Sequence, residues 1–210
     1  MIRKTSLAIF VLLTVSIVFP LVAQEELPAA GRYAIVAGES KIEIQVGTSG
    51  MFGFLGHPHS IVPKMFSGEA EIKPQEALPA AVSIRIDATS LYEAAEFKPE
   101  EKEKIETQMH GEVLETAKYP EIVFKSTQVR YSKTPEHVYE TKIDGDMTLH
   151  GVTRKITIPV RITVDGASLR ATGKFEIQRK DYNIETKSAG GGSVKVSKTL
   201  EITFNIVLRQ

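Results

Sequence analysis

The chain has 210 residues, with 26 basic and 26 acidic side chains, 42% hydrophobic residues and no cysteine. So even a charge balance excludes nucleic acid and an anionic membrane surface as natural partners, because both are recognised through an excess of Lys and Arg. The absence of cysteine excludes disulfides and thiolate metal sites, and the mixed composition argues against disorder.

The N-terminal stretch MIRKTSLAIFVLLTVSIVFPLVAQEE has the form of an export signal. Arg3 and Lys4 make a basic start, residues 7–22 an apolar run, and Ala23 offers a small residue for cleavage. Thr14, Ser16 and Pro20 interrupt the run, which falls short of the roughly 20 apolar residues a membrane span needs. Residues 1–23 are therefore expected to be a signal peptide, and residues 24–210 a single periplasmic domain. The competing reading is an uncleaved anchor. Without a cysteine at the cut, an acylated lipoprotein anchor is excluded. Cleavage removes two basic residues and no acidic ones, leaving 24 against 26, a formal charge of −2.

From residue 32 onward the periodicity is almost entirely of period two, the spacing that puts alternate side chains on one face of a strand. Residues 32–37 open the series. KIEIQV follows, with Ile42, Ile44 and Val46 against Lys41, Glu43 and Gln45. The stretch GTSGMFGFLGHPHS then reads as a loop, with Phe52 and Phe54 among glycines and His57 and His59 one residue apart around Pro58. Strands are expected at 65–73 and at AVSIRID, where Val82, Ile84 and Ile86 share a face.

The segment KPEEKEKIETQMHGEVLETAKYP breaks this rhythm. Pro99 is placed to open a helix, Glu100 and Glu101 suit its first turn, and Ile105, Met109 and Val113 fall four apart. Gly111 costs about 1 kcal/mol in a helix interior, so the segment is expected to form one helix or two short ones meeting near His110 before Pro120 ends it. Such an insert is either a plug for the core or a lid over an open end.

Strands resume at 121–131 and 138–149. KITIPVRITV places Ile156, Ile158, Val160, Ile162 and Val164 on one face; SLRATGKFEIQ does the same with Leu169, Ala171, Gly173, Phe175 and Ile177, and TLEITFNIVL with Leu200, Ile202, Phe204, Ile206 and Leu208. Short turns such as Asp165-Gly166 make neighbours antiparallel. Alternation this regular marks a sheet that is solvated on one side. The fold class is thus mainly β, with eight or nine strands that must curl to cover their apolar face. The long hairpin-linked strands favour a closed antiparallel up-and-down barrel of about eight strands over a sandwich, with the helical insert before the strand at 121–131.

YPEIVFKST (119–127), GDMTLHGVTRKITIPV (145–160) and QRKDYNIE (178–185), in that order after a GH-containing loop, resemble the YceI-like family of exported bacterial proteins across residues 30–210. The resemblance implies a lipocalin-like barrel that holds a long-chain amphiphile, such as an isoprenoid, quinone or fatty-acid-like lipid, in an apolar interior. It implies no catalytic residues and no cofactor. Where many members read Asn-Arg-Ser-Asp-Phe-Gly, this chain has Gln178-Arg179-Lys180-Asp181-Tyr182-Asn183, so the head-group preference is the part that transfers least.

On this reading the protein is a carrier or sequestering protein and not an enzyme. It contacts the membrane only transiently for loading and is compatible with a homodimer. The residues expected to line the lipid are Phe52, Phe54, Phe66, Ile84, Ile86, Met109, Phe124, Met147, Ile158, Phe175 and Phe204. Inward Gly145, Ala171 and Gly173 are expected to leave room for it. His57 and His59 are expected at the head group or on backbone carbonyls.

Two alternatives stay open. One is a metal-assisted enzyme using His57, His59 and His150, with His110 as a further ligand and His137 as a weaker one; the other is a solid-cored structural or stress-related barrel that binds a partner. Against the first, no His-x-x-x-His spacing occurs and the loop carries no carboxylate. AGGGSVKV lacks the Lys-Ser/Thr ending of a phosphate loop and reads as a hairpin connection. Asp144 and Asp146 sit on the wet face of a strand.

Overall fold

A computed structural model describes residues 29–49, 57–74, 78–133, 138–165, 167–185 and 195–210. Phe52, Phe54, His137, the segment at 1–23 and most of the glycine-rich stretch lie outside these residues. Eleven β segments form one antiparallel sheet: β1 (Gly31–Ile35), β2 (Lys41–Ser49), β3 (His59–Pro63), β4 (Phe66–Ile72), β5 (Ala81–Asp87), β6 (Leu91–Glu93), β7 (Glu121–Lys133), β8 (Val138–Leu149), β9 (Val152–Asp165), β10 (Ser168–Gln178) and β11 (Lys195–Arg209).

These eleven segments are eight barrel strands, because three strands are each broken once. β1 and β2 both pair with β11, in succession. β3 and β4 lie against β2 and β1, and β6 and β5 lie against β3 and β4. The remaining strands follow as simple hairpins from β7 to β11, and β5–β7 and β1–β11 pairing closes the cylinder. Closure removes every long sheet edge, which is how an all-antiparallel chain of this length avoids exposing unpaired backbone.

At each break a side chain substitutes for the missing ladder bond. Across the 3-10 turn Ala37–Glu39, the Ser40 hydroxyl accepts from the Val207 N–H at 2.9 Å and donates to the Val36 carbonyl at 2.8 Å. Glu39 of that turn takes both terminal nitrogens of Arg209 at 2.6 Å, and these bonds hold its carboxyl below the ordinary range. At the second and third breaks, buried Ser90 accepts from the Met65 N–H at 3.0 Å and donates to the Asp87 carbonyl at 2.7 Å. Buried backbone donors and acceptors are satisfied in this way, each omission costing about 1–3 kcal/mol.

The expected alternation is present in burial. Along β8, Tyr139, Thr141, Ile143, Gly145, Met147 and Leu149 face inward, and the Thr141 hydroxyl donates to the Val160 carbonyl at 2.7 Å. Two short strands, β3 and β6, were not foreseen. His59 is therefore the first residue of a strand and not part of a loop, which corrects the reading of that stretch.

The insert forms α1 (Pro99–Gln108), with Pro99 at its first turn and the Lys98 N–H donating to the Glu101 carboxylate at 3.1 Å. It runs on into a π-helical turn, Met109–Val113, closed by a Leu114 N–H to Met109 carbonyl bond of 2.8 Å. The helix thus changes from α to π geometry at Met109, one residue before His110, and does not divide into two short helices as one expectation had it. Within α1 proper no residue is buried; Met109 is the anchor, packed with Ile61, Ala88 and Leu91 in a cluster separate from the main core.

The two barrel ends differ. At the end formed by the starts of β1, β8 and β10, Tyr33, Ile72, Leu78, Tyr139 and Leu169 are each at most 3% exposed, and the Tyr33 hydroxyl donates to the Ala29 carbonyl at 2.9 Å. That end is packed shut. The other end carries α1, the π turn and the 3-10 turn Arg179–Tyr182.

Candidate functional site: an apolar cavity

Between the shut end and α1 the barrel interior is open. A cavity of about 340 Å³ is lined by inward residues of the barrel strands, including Ile42, Ile84, Ile143, Ile158, Phe175, Ile202 and Phe204, and by Ile105, Met109, Val113 and Leu114 from the insert. Ile44, Val82, Ile84, Ile86, Phe175, Leu200 and Phe204 point inward yet are only half-buried, because the surface they expose is the wall of this cavity. The solid-core alternative is overturned by that observation. An eight-stranded barrel has room for one small ligand, and this volume lies in the range of ligand pockets.

Of the residues expected to line the lipid, Ile84, Ile86, Phe124, Met147, Ile158, Phe175 and Phe204 on the strands and Met109 in the insert lie on the cavity wall. Phe66 packs against the core without lining the cavity. The inward glycines play a different part from the one expected. A Cβ on Gly145 would stand 2.5 Å from the Phe124 ring and 2.5 Å from the Lys125 carbonyl oxygen, and one on Gly173 would meet the Phe204 ring and lie 2.5 Å from the Pro159 carbonyl oxygen. These glycines leave no void; each gives its space to an aromatic ring lying over the strand. Ala171, between β9 and β11, does line the cavity.

Polar lining groups gather at the α1 end: His59, Gln108 and Arg179. Glu69 and Ser83, cross-strand partners toward the other end, also contribute, with Glu69 turned out to Arg32 at 3.8 Å.

His59 is held by a carboxylate and not by backbone, as the sequence had left open. Its Nδ1 lies 2.8 Å from Oε2 of Glu93, whose side chain is fully buried. Oε1 of the same carboxylate accepts the Ser60 N–H at 3.0 Å and the Ala95 N–H at 2.9 Å. The Glu93 N–H in turn donates to Glu106 of α1 at 3.0 Å, tying the insert to the barrel end. His57 is exposed, and the two imidazoles meet through Phe97, which stacks on His59 and stands edge-on to His57.

His150 belongs to a separate cluster. Its ring bonds the Tyr182 carbonyl at 3.1 Å and Glu115 at 3.0 Å and packs on Tyr119, which also covers Gly151. His110 bonds the Leu91 carbonyl at 2.9 Å and Thr116 at 3.2 Å. Among the described residues, no three His, Asp or Glu groups converge as a metal site, and the geometry does not bring His150 to His57 and His59 as the metal-enzyme alternative requires. Asp144 lies on the outer face, bonded to Thr157 and Arg130, and those bonds hold its carboxyl below the ordinary range.

Glu93 and Arg179 were missed as site residues. Glu93 carries a legible signal, a carboxylate in phase with inward Leu91 on a short strand, but that strand was not recognised. Arg179 stood inside a quoted motif, without the neighbours that give it a role.

Fold and cavity together define a lipocalin-like antiparallel barrel with an apolar interior that opens beneath a helical insert. The chain belongs to the YceI-like domain family, whose model matches residues 33–208. It is similar to the YceI proteins of Escherichia coli O157:H7 and Shigella sonnei, 36% identical over 84 residues that cover 36% of this chain and 40% of each relative. The chain thus matches less than half the length of these curated relatives. Among solved structures, BcnA of Burkholderia cenocepacia superposes with a TM-score of 0.63 at 20% identity, covering 82% of this chain and 98% of BcnA. A polyisoprenoid-binding domain from Saccharophagus degradans, implicated in plant cell wall breakdown, superposes at 0.60 and 14% identity, covering 84% and 97%. At such identities the likeness is one of fold.

Proposed function

We propose that the protein binds one long-chain amphiphile, an isoprenoid, quinone or fatty-acid-like lipid, with its chain in the barrel and its polar head at the α1 end, and that it carries or sequesters that lipid. The observation that supports this most is the half-accessible apolar wall around a cavity closed at one end and bordered by His59, Gln108 and Arg179 at the other. Each methylene moved from water to such a wall contributes about 0.8 kcal/mol, so a chain of many methylenes outweighs a single polar contact of about 1 kcal/mol. The description of the Saccharophagus domain as polyisoprenoid-binding points the same way.

Native mass spectrometry of the protein purified from its own cell envelope should show a bound lipid at one per chain. Ala171→Phe, which projects a ring into the cavity from a position that already faces it, should keep a cooperative melt and reduce that occupancy at least severalfold. Wild-type protein that is always empty and takes up no chain from lipid mixtures would refute the carrier reading.

We infer further that this binding takes place in the periplasm, on the strength of Arg3, Lys4, the apolar run and Ala23. N-terminal sequencing of the envelope protein should begin at Gln24 or a near neighbour. Recovery of the intact Met1 form from the membrane fraction would overturn it.

A further inference from the structure

Arg179 is a cation on the wall of an apolar cavity, and among the described residues no anion contacts it. Its Nε donates to the Ser197 carbonyl at 2.6 Å, one terminal nitrogen to the Val196 carbonyl at 3.1 Å and the other to the Ile184 carbonyl at 3.2 Å. Among the described residues no carboxylate makes a hydrogen bond or ion pair with it. On the outer surface Arg130, Arg161 and Arg209 each meet a carboxylate, while exposed Arg154 and Arg170, which water solvates, donate to the Asp181 carbonyl and to Asn205; buried Glu93 meets His59.

The three carbonyls fix the guanidinium plane. A guanidinium has five N–H groups, so three backbone bonds leave two N–H donors and the whole positive charge unassigned. Arg179 is half-buried, and partial desolvation of its charge pulls the group below its ordinary value. Buried charges are as a rule paired, and a planar fork with two free donors suits an oxyanion with two acceptor oxygens. A neutral alcohol, amide or quinone oxygen accepts a hydrogen bond but leaves the charge unbalanced.

Resting on the carrier reading above, we propose that Arg179 is the head-group site and that it selects a long-chain lipid ending in a compact anion, a carboxylate or a phosphate. The rival account makes Arg179 a staple joining the 3-10 turn to the irregular start of β11, where the register shifts between Val196 and Leu200. A staple affects stability and all ligands alike; a head-group site affects the ratio between anionic and neutral ligands.

The experiment uses delipidated full-length mature protein near neutral pH and measures affinities for oleic acid, oleyl phosphate, oleamide and oleyl alcohol by displacement of a fluorescent fatty probe. Oleic acid, oleyl phosphate or both should bind about 10- to 100-fold tighter than the amide and the alcohol, about 1.4 to 2.8 kcal/mol. The relative affinity of the two anions identifies which head is preferred. Arg179→Gln should bring the anions to near parity with the neutral pair while the affinities for amide and alcohol hold. Arg179→Lys, which keeps the charge but not the fork, should retain a smaller preference. Equal binding of all four by the wild type, or a preference unchanged in Arg179→Gln or Arg179→Lys, overturns the head-group assignment and leaves the carrier reading standing. Failure of all four to bind the wild type overturns both.

Discussion

Replacing Gly173 by phenylalanine is expected to destabilise the barrel by about 3 kcal/mol rather than simply fill its cavity. Gly173 faces inward on β10 opposite Phe204, and the added Cβ would meet the Phe204 ring and sit 2.5 Å from the Pro159 carbonyl oxygen of β9. A ring can rotate away, but a carbonyl in a strand ladder moves only with its strand. The cost therefore falls on the β9–β10 pairing and not on ligand space. Gly38, exposed in the 3-10 turn with open space around its Cα, is the control: Gly38→Ala should lie within about 0.5 kcal/mol of wild type. Urea unfolding of the three proteins checks both. A Gly173→Phe protein as stable as wild type but empty of lipid would restore the sequence-based view that this glycine holds ligand space open.

Removing the Glu93 carboxylate is expected to be costlier still. Glu93→Leu leaves the Ser60 and Ala95 N–H groups and the His59 ring without their acceptor at a buried position, and each unsatisfied donor costs about 1–3 kcal/mol. Allowing for relaxation and water entry, the total loss should be about 3–5 kcal/mol, comparable to breaking other buried charged pairs. Glu93→Gln keeps an oxygen for the two backbone donors and should lose about 1–2 kcal/mol, through the weakened bond to His59. Loss of the carboxylate that positions β6 should shift the Glu93 N–H that anchors Glu106 of α1, so the leucine variant should release a bound fluorescent fatty probe faster at stability-matched temperatures. Equilibrium unfolding and stopped-flow release measure the two effects. A leucine variant within about 1 kcal/mol of wild type would sink the claim that this carboxylate organises the α1 end.

Both substitutions concern positions whose residue type is plain in the sequence but whose neighbours are not. Gly173 stands in the inward phase of SLRATGKFEIQ, and that phase is correct; whether the glycine makes a hole or a seat for a ring depends on the Phe204 rotamer and the approach of β9. Glu93 is separated from His59 by 34 residues and from Glu106 by 13, and only the pairing of β3 with β6 puts the three together. His57 and His59 drew notice as a sequence pair, yet the partner that defines His59 lies on another strand.

By itself the sequence determined every strand except β3 and β6, the helix opening at Pro99 with a change of geometry near His110, and the face of each strand that turns inward. Those are local properties: side chains alternate every two residues in a strand, and proline, glycine and the first-turn carboxylates set helix ends within a few positions. It determined a closed barrel as well, since so much one-sided strand must curl to cover its apolar face. Only the tertiary structure decided that three of eight strands are broken, that Tyr33, Leu78 and Tyr139 shut one end, and that Arg179 meets three carbonyls and, among the described residues, no anion. These features are sums of contacts between residues far apart in the chain, and which of them form depends on the register and the twist at which the cylinder closes, quantities that no short window of residues contains.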